Sequence, residues 1–262
     1  MDLKLHPAAQ YLRYKLRAGN AHGLHSPFVF ELYNNVIRDD MPFYDFEPIE
    51  RIREHFIRDE TRIQVTDFGV SGEREQIHLT TVQEVARKSL NTAKYGRLLF
   101  RLVNHFQPKT IIELGTSLGI TTLYLATPSA KSKVYTIEGC PVIQQLAKKA
   151  FQQAGRQNIV SINGEFDKEL PLVLNKLENV DMVYIDGNHR YQPTINYFNQ
   201  CLEKITDNSV FIFDDINWSR EMTHAWKEIK KHPSVTVSVD LYRLGIVLFK
   251  KELLKQDFVL RY

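Results

Sequence analysis

Cysteine is almost missing from this chain of 262 residues, in which Cys140 and Cys201 are the only two. So few thiols provide no disulfide framework and fit a reducing compartment. An excess of one sign of charge is missing too: 34 Lys and Arg stand against 31 Asp and Glu, a formal net charge of +3. The pervasive basic field that dominates nucleic-acid binding is therefore not there, and nucleic acid is not indicated as a partner. Also lacking is any run of about eighteen apolar residues, the length a membrane-spanning helix needs. The opening residues, Met1 to Pro7, scatter charge through a segment without the apolar core of a secretory signal. A cytoplasmic protein with no membrane span is expected. Hydrophobic residues make up 43% of the chain, which can bury one large core carrying an extension and falls short of two ordinary domains.

A further absence is local and more telling. From Thr110 to Thr122 an apolar run, a Gly-x-x-x-Gly turn and a helical pattern follow without a gap, the order of a strand feeding a helix through a tight loop. Dinucleotide-binding loops need a middle glycine so that the backbone can approach a pyrophosphate, and here Ser117 stands in that place, between Gly115 and Gly119. The loop suits a ligand without a pyrophosphate. About twenty-five residues further on, the strand-like run Lys133 to Ile137 ends in Glu138, placed to accept the hydroxyls of a ribose, so a nucleoside is implied. The apolar runs 181–185 and 209–213 also end in carboxylates, Asp186 and the pair Asp214 and Asp215. Strands do so when their C-terminal ends line a crevice, and these four strand ends are read as one site.

Strands and helices alternate through this part of the chain. Strands are expected at 110–114, 133–138, 158–162, 181–185 and 209–213, and helices at 119–127, 141–154, 168–177, 193–205 and 219–231. Two late strands, 234–240 and 244–250, are too close for a crossover helix and must pair antiparallel. Before the core, residues 1–92 read as a helical extension, with helical spacing at Tyr11, Leu12 and Leu16 and from Phe28 to Tyr33. Ser26 and Pro27 make a good helix start. The loop 18–26 between them fits either a lid or a solvated connection. The segment Arg62 to Gly72 echoes the main glycine loop at Asp67, Gly69 and Gly72, but Glu73 and Glu75 follow it, so a turn or short strand pair is expected there. Helices are expected again at 81–90 and 95–104, and residues 93–262 are expected to form the ligand-binding domain.

The succession Glu113, Gly115, Gly119, then Glu138, then Asp186 to His189, then Asp214 and Asp215 resembles class I S-adenosylmethionine-dependent methyltransferases. In particular it is similar to metal-dependent small-molecule O-methyltransferases of the catechol and macrocin type, over roughly residues 94–251. The resemblance implies a Rossmann-like α/β fold: a seven-stranded, mostly parallel sheet with an antiparallel closing strand. It implies S-adenosylmethionine as cofactor, with its ammonium on Glu113, its carboxylate on Thr116, Ser117 and the following N–H groups, and its ribose on Glu138. Gly164, Glu165 and Phe166 follow the third strand, where relatives contact adenine. Phe166 is read either as stacking on the base or as core, and Asp167 as either a base contact or a helix cap. The region Lys94 to Gly96 sits at the cofactor mouth in such enzymes, and a homodimer formed through the N-terminal helices is the family's habit.

Methyl transfer is an in-line displacement, for which the acceptor must lose a proton. Asp186, Asp214 and Asp215 offer oxygen ligands suited to a hard cation such as Mg²⁺, which lowers the pKa of a bound hydroxyl. Without a cation, three converging carboxylates repel one another, so the metal is expected. The alternative is that Asp186 caps a turn while Asp214 and Asp215 satisfy backbone groups or an acceptor amine. His189, three residues after Asp186, is the expected general base, with Asp186 sharing catalytic and cofactor roles; Arg190 and Tyr191 are alternatives for orienting substrate. Trp218 is read as a pocket wall, Trp226 as core, Lys227, Lys230 and Lys231 as a solvated helix end, and His22 and His25 as incidental. Three function classes follow: an O-methyltransferase acting on a small molecule; an RNA- or protein-directed methyltransferase using Lys4, Arg13, Lys15 and Arg17; and a non-catalytic nucleoside-binding protein.

Overall fold

The computed structural model describes residues 2–67 and 76–262. In chain order the elements are α1 (Asp2–Arg17), α2 (Pro27–Leu32), α3 (Phe46–Arg58), β1 (Arg62–Asp67), β2 (Gln76–Thr81), α4 (Val82–Ser89), α5 (Ala93–Phe106), β3 (Thr110–Leu114), α6 (Ile120–Ala126) and β4 (Lys133–Glu138). They continue as α7 (Pro141–Gln153), β5 (Ile159–Asn163), α8 (Phe166–Leu174), β6 (Met182–Ile185), α9 (Tyr191–Leu202), β7 (Val210–Phe213), α10 (Arg220–Lys231), β8 (Val237–Asp240), β9 (Gly245–Leu248) and β10 (Gln256–Val259). The chain forms two compact units, a continuous one of residues 40–176 and a discontinuous one of residues 1–39 with 177–262.

In the continuous unit the sheet runs β3-β4-β5, all parallel, with Thr110 opposite Lys133 and Val134 opposite Ile159. Parallel strands covered on both faces carry near-continuous apolar runs, and β3 follows that rule except at its first residue, Thr110, and at Glu113. One core of this unit joins Phe46, Ile49, Ile52 and Phe56 of α3 to Phe100 of α5, Leu123 and Tyr124 of α6, and Ala147 and Phe151 of α7. Helix α3 was not expected, although its apolar residues recur at three- and four-residue spacing. The expected strand pair is there as an antiparallel ladder from Arg62 opposite Thr81 to Asp67 opposite Gln76. Its connection, 68–75, which holds most of the echo of the glycine loop and both Glu73 and Glu75, lies outside the described residues. A capping box starts α4: Thr81 Oγ1 accepts from Glu84 N at 3.2 Å, and Glu84 Oε2 accepts from Thr81 N at 3.3 Å.

In the discontinuous unit the order is β6-β7-β9-β8-β10. Strands β6 and β7 are parallel, β9 is antiparallel to both β7 and β8, and β10 is parallel to β8. The antiparallel closing pair is thus as expected. The strand total is not: among the described residues, three parallel strands in one unit and five in the other replace the expected seven, β10 being the addition. A strand of only four residues, β10 is held by its neighbours, with Leu260 N donating to Asp240 O and Arg261 N to Gly19 O, each at 3.0 Å. Helix α1 is tied to the same end, since Tyr14 Oη donates to Leu260 O at 2.8 Å and Tyr242 Oη donates to Pro7 O at 2.9 Å. Helix α2 starts as expected, Ser26 Oγ accepting from Val29 N. Among the described residues no helix is long and apolar enough to cross a membrane.

Gly96, expected at the cofactor mouth, has a packing reason for being glycine. A Cβ there would lie 2.4 Å from the buried ring of Tyr124, which the hydroxyl fixes by donating to Glu50 Oε1 at 2.6 Å. Gly96→Ala is therefore expected to destabilise the protein by about 1–3 kcal/mol through overpacking, whereas Gly23→Ala, where a Cβ meets nothing within 4 Å, stays near the parent. Chemical denaturation of the two variants checks the pair.

Candidate active site

Strand β3 leads into the glycine loop of the continuous unit, and most expected cofactor residues of that unit come together around it. Gly115 (φ 104°), Ser117 (φ 47°) and Gly119 (φ 82°) all have left-handed backbones. At Gly119 a side chain is doubly refused, because a Cβ would also lie 2.5 Å from the ring of Phe151. The N–H groups of Gly115 and Thr116 both donate to Ile137 O, at 3.1 and 3.2 Å. Ser117 N donates to Glu138 Oε2 at 2.9 Å, and Cys140 N to Glu138 Oε1 at 3.0 Å. The expected ribose acceptor thus also clasps the loop. Burial pushes the Glu138 carboxyl up, while the N–H groups of Cys140, Ser117 and Gly139 oppose that shift. A carboxylate has about four lone-pair positions, and the hydrogen bonds from Ser117 and Cys140 take one on each oxygen.

The Thr116 hydroxyl is committed within the protein, and the Ser117 hydroxyl has a protein neighbour. Ser117 Oγ is 2.7 Å from Ser89 Oγ. Thr136 Oγ1 donates to Glu113 Oε2 at 2.6 Å, so its single proton is used and the buried Thr116 hydroxyl, 2.5 Å away, donates to it in turn. Thr122 Oγ1 adds a third hydroxyl to the network, donating to the same Glu113 oxygen at 2.5 Å. Glu113 is fully buried, and its Oε1 has no hydrogen-bond partner. Burial raises its pKa to about 8 against the pull of the two threonines.

Gly164 N donates to Glu138 O at 3.0 Å, which brings the third strand end against the second. Glu165 is the N-cap residue of α8 and pairs with Lys168, and Phe166 is half-buried in the first helical turn. The helix therefore begins earlier than expected, and Asp167 lies inside its first turn instead of capping it.

In the discontinuous unit, Asp186, Asp214 and Asp215 do converge, around a residue that was not expected. Arg243 Nε donates to Asp214 Oδ1 at 2.9 Å and lies 3.4 Å from Asp215 Oδ1, while Nη2 donates to Asp214 Oδ2 at 3.4 Å. Tyr184 Oη is 2.8 Å from Asp214 Oδ2 and 3.2 Å from Asp186 Oδ2. Asp215, with φ 53°, turns its own N–H back onto Asp214 Oδ1 at 2.8 Å. Burial first, then the neighbouring carboxylates, push Asp186 and Asp215 well up and up respectively. Burial lowers the guanidinium, but Asp214 and Asp215 more than restore it, and its pKa stands above the usual arginine value.

The expected cation does not fit this set. Both oxygens of Asp214 already accept two hydrogen bonds each, and among the described residues no three His, Cys, Asp or Glu side chains are grouped so as to hold a metal ion. The repulsion that argued for a cation is relieved by a guanidinium. Arg243 escaped the sequence reading because it lies 29 residues from Asp214 on a hairpin turn, where a basic side chain is ordinarily solvated. Its only signal was its place between two strands expected to pair.

His189 Nε2 stands 3.6 Å from Asp186 Oδ1, longer than a hydrogen bond. Arg190 and Tyr191 are engaged elsewhere: Arg190 Nε donates to Asn188 Oδ1 at 2.8 Å, and the Tyr191 ring stacks on His224 at 4.5 Å. Trp218 is exposed and Trp226 buried, the latter donating to Asp240 Oδ2 at 3.2 Å. Lys230 is not simply solvated, since it pairs with Asp257 at 2.7 Å.

Residues 112–216 match the family described as a methyltransferase domain. Over 131 residues the chain is 30% identical to a catechol O-methyltransferase of Niastella koreensis, covering 49% of this chain and 57% of that protein. An O-methyltransferase of Aspergillus hancockii is 27% identical over 117 residues, 44% of this chain and 45% of that one. The chain thus spans about half the length of these curated relatives. An O-methyltransferase of Bacillus cereus, solved with S-adenosylhomocysteine, superposes with a TM-score of 0.56 at 17% identity, over 84% of this chain and 97% of that one. The likeness to methyltransferases read from the strand ends, and the mixed α/β fold with mostly parallel strands, are borne out.

Glu113 sets a pH dependence of stability. Its folded pKa of about 8 exceeds the ordinary 4.5, so the folded state keeps a proton that the unfolded chain releases. That contribution is fully present below the unfolded pKa and is lost as pH rises through the folded one. Stability of the parent should fall between those values, by an amount on the order of a few kcal/mol, and Glu113→Gln should flatten this part of the profile. Urea denaturation at a series of pH values measures it.

Proposed function

We propose that this chain transfers a methyl group from S-adenosylmethionine to a hydroxyl of a small molecule. The observation that carries the reading is Glu113: a buried carboxyl with an unpartnered oxygen, at the strand end that leads into a glycine loop lacking the pyrophosphate signature. An ammonium answers that oxygen, and binding one there would draw the raised pKa back down. Glu138, whose two oxygens each accept one backbone N–H, takes a ribose hydroxyl on a remaining lone pair while it keeps the loop in its left-handed turn. The half-buried Phe166, beside Gly164 and Glu165, is the proposed contact for the aromatic base. When bound, the cofactor supplies an electrophilic methyl carbon and departs as a neutral thioether.

The chain's own groups must take the proton that the acceptor hydroxyl gives up as the new C–O bond forms. His189 is the proposed base, with Asp186 3.6 Å away to stabilise the charge that develops on the ring. Asp186 is a positioning residue in this proposal, not a ligand of the methionine group. The cation expected on Asp186, Asp214 and Asp215 has no part in the proposal, because Asp214 has no lone pair left for it. The acceptor class rests on the names of the relatives, an O-methyltransferase and a catechol O-methyltransferase.

Two variants separate binding from chemistry. Glu138→Ala is expected to weaken S-adenosylhomocysteine binding about tenfold to a hundredfold, as the loss of a charge-assisted hydrogen bond would, read by calorimetry. Parent-like affinity would remove the ribose assignment. His189→Ala is expected to lower turnover by roughly two to four orders of magnitude with cofactor affinity unchanged, in a screen of hydroxylated metabolites with labelled S-adenosylmethionine.

A further inference from the structure

The turn between β8 and β9 is built to deliver one side chain. Tyr242 takes a left-handed backbone (φ 70°), Leu241 N donates to Leu244 O and Arg243 N to Leu241 O, each at 2.9 Å. The turn is then pinned from the segment that follows Asp215: Ile216 N donates to Arg243 O at 3.1 Å, and Asn217 Nδ2 donates to Tyr242 O at 2.7 Å. With the backbone tied on both sides of Arg243, its fork reaches Asp214 through Nε and Nη2 and Asp215 through Nε. Tyr184, on β6, closes the remaining lone pair of Asp214 from the other side and touches Asp186 as well.

We infer that Arg243 stands in the place of a divalent cation, so that the cluster of Asp186, Asp214 and Asp215 is organised by a guanidinium and works without a metal. A planar fork of fixed N–H donors satisfies two carboxylates of a strand end as a cation would, while remaining covalently part of the fold. Three features of the geometry support it. Asp214, which has no solvent-exposed surface, accepts two donors on each oxygen, so a metal bond there must displace Arg243 or Tyr184. The guanidinium itself would repel a second cation brought among the same oxygens. The backbone ties of the turn hold the arginine whether or not a ligand is near.

This placement deepens the acceptor side of the methyltransferase reading, yet it is tested without methyl transfer. The full chain, with S-adenosylhomocysteine added, is titrated with Mn²⁺ and the free ion is followed by electron paramagnetic resonance. No Mn²⁺ taken up into the millimolar range is the expected result. Stoichiometric uptake that is lost in Asp214→Asn overturns the inference. A second reading is thermal: Arg243→Met, similar in volume but uncharged, leaves Asp214 buried without its partner and should lower the melting temperature by roughly 10 °C. A parent-like melting temperature overturns the inference as well. If Arg243→Met yields no folded protein, Arg243→Lys replaces it, keeping the charge but losing the fork, with a melting temperature below the parent's expected and a parent-like one again fatal. Affinity for S-adenosylhomocysteine, measured in the same parent sample, reports separately on the cofactor reading. If that binding is missing, the methyltransferase proposal falls while the Mn²⁺ result still decides the role of Arg243.

Discussion

Buried carboxylates at the C-terminal ends of parallel strands are the constraint around which both units are arranged. A charge taken out of water is costly unless it is paired, hydrogen-bonded or neutralised by a proton, and the protein answers differently at each strand end. At Glu113 the answer is a proton and two threonine hydroxyls. At Glu138 it is the backbone, whose N–H groups from Ser117 and Cys140 converge on the two oxygens. At Asp214 it is a guanidinium brought by a hairpin turn, together with a phenol and a neighbouring N–H.

These answers shape the backbone around them. The left-handed conformation of Ser117 is one that a residue with a Cβ adopts at a cost, and it is the conformation in which the Ser117 N–H meets Glu138. Asp215 repeats the device: its positive φ aims its N–H at Asp214. Tyr242, also left-handed, lies in the turn that carries Arg243. In each case local strain is offset by a charge-assisted hydrogen bond, which is about twice as strong as a neutral one. Strain of this sort is concentrated at functional sites, and here it falls beside the strand-end carboxylates of both units.

Packing imposes the other demand. Gly96 and Gly119 let Tyr124 and Phe151 lie against backbone, and both rings belong to the core that α3 completes. Gly245 does the same for Trp226 in the discontinuous unit, where a Cβ would come within 2.7 Å of the indole. A glycine in these strands and helices therefore reports a neighbouring ring as much as a ligand. For that reason the Lys94 to Gly96 segment needs no cofactor to account for its glycine.

The sequence by itself determined the alternation of strands and helices from β3 to α10, the antiparallel closing pair and the identity of the strand-end carboxylates. Apolar runs of four or five residues, turn residues and helix starts are local signals, each decided within a few positions of itself. It did not reveal α3, whose spacing was legible, or β10, whose four residues carry no pattern of their own and pair because β8 offers an edge. Nor did it reveal what neutralises the aspartates. Three carboxylates near one another imply a positive charge, but whether that charge is a dissolved ion or a side chain is a question of which distant residue the fold brings back. Only the tertiary structure, by folding β8 onto β9 and tying the turn to Ile216 and Asn217, places Arg243 against Asp214.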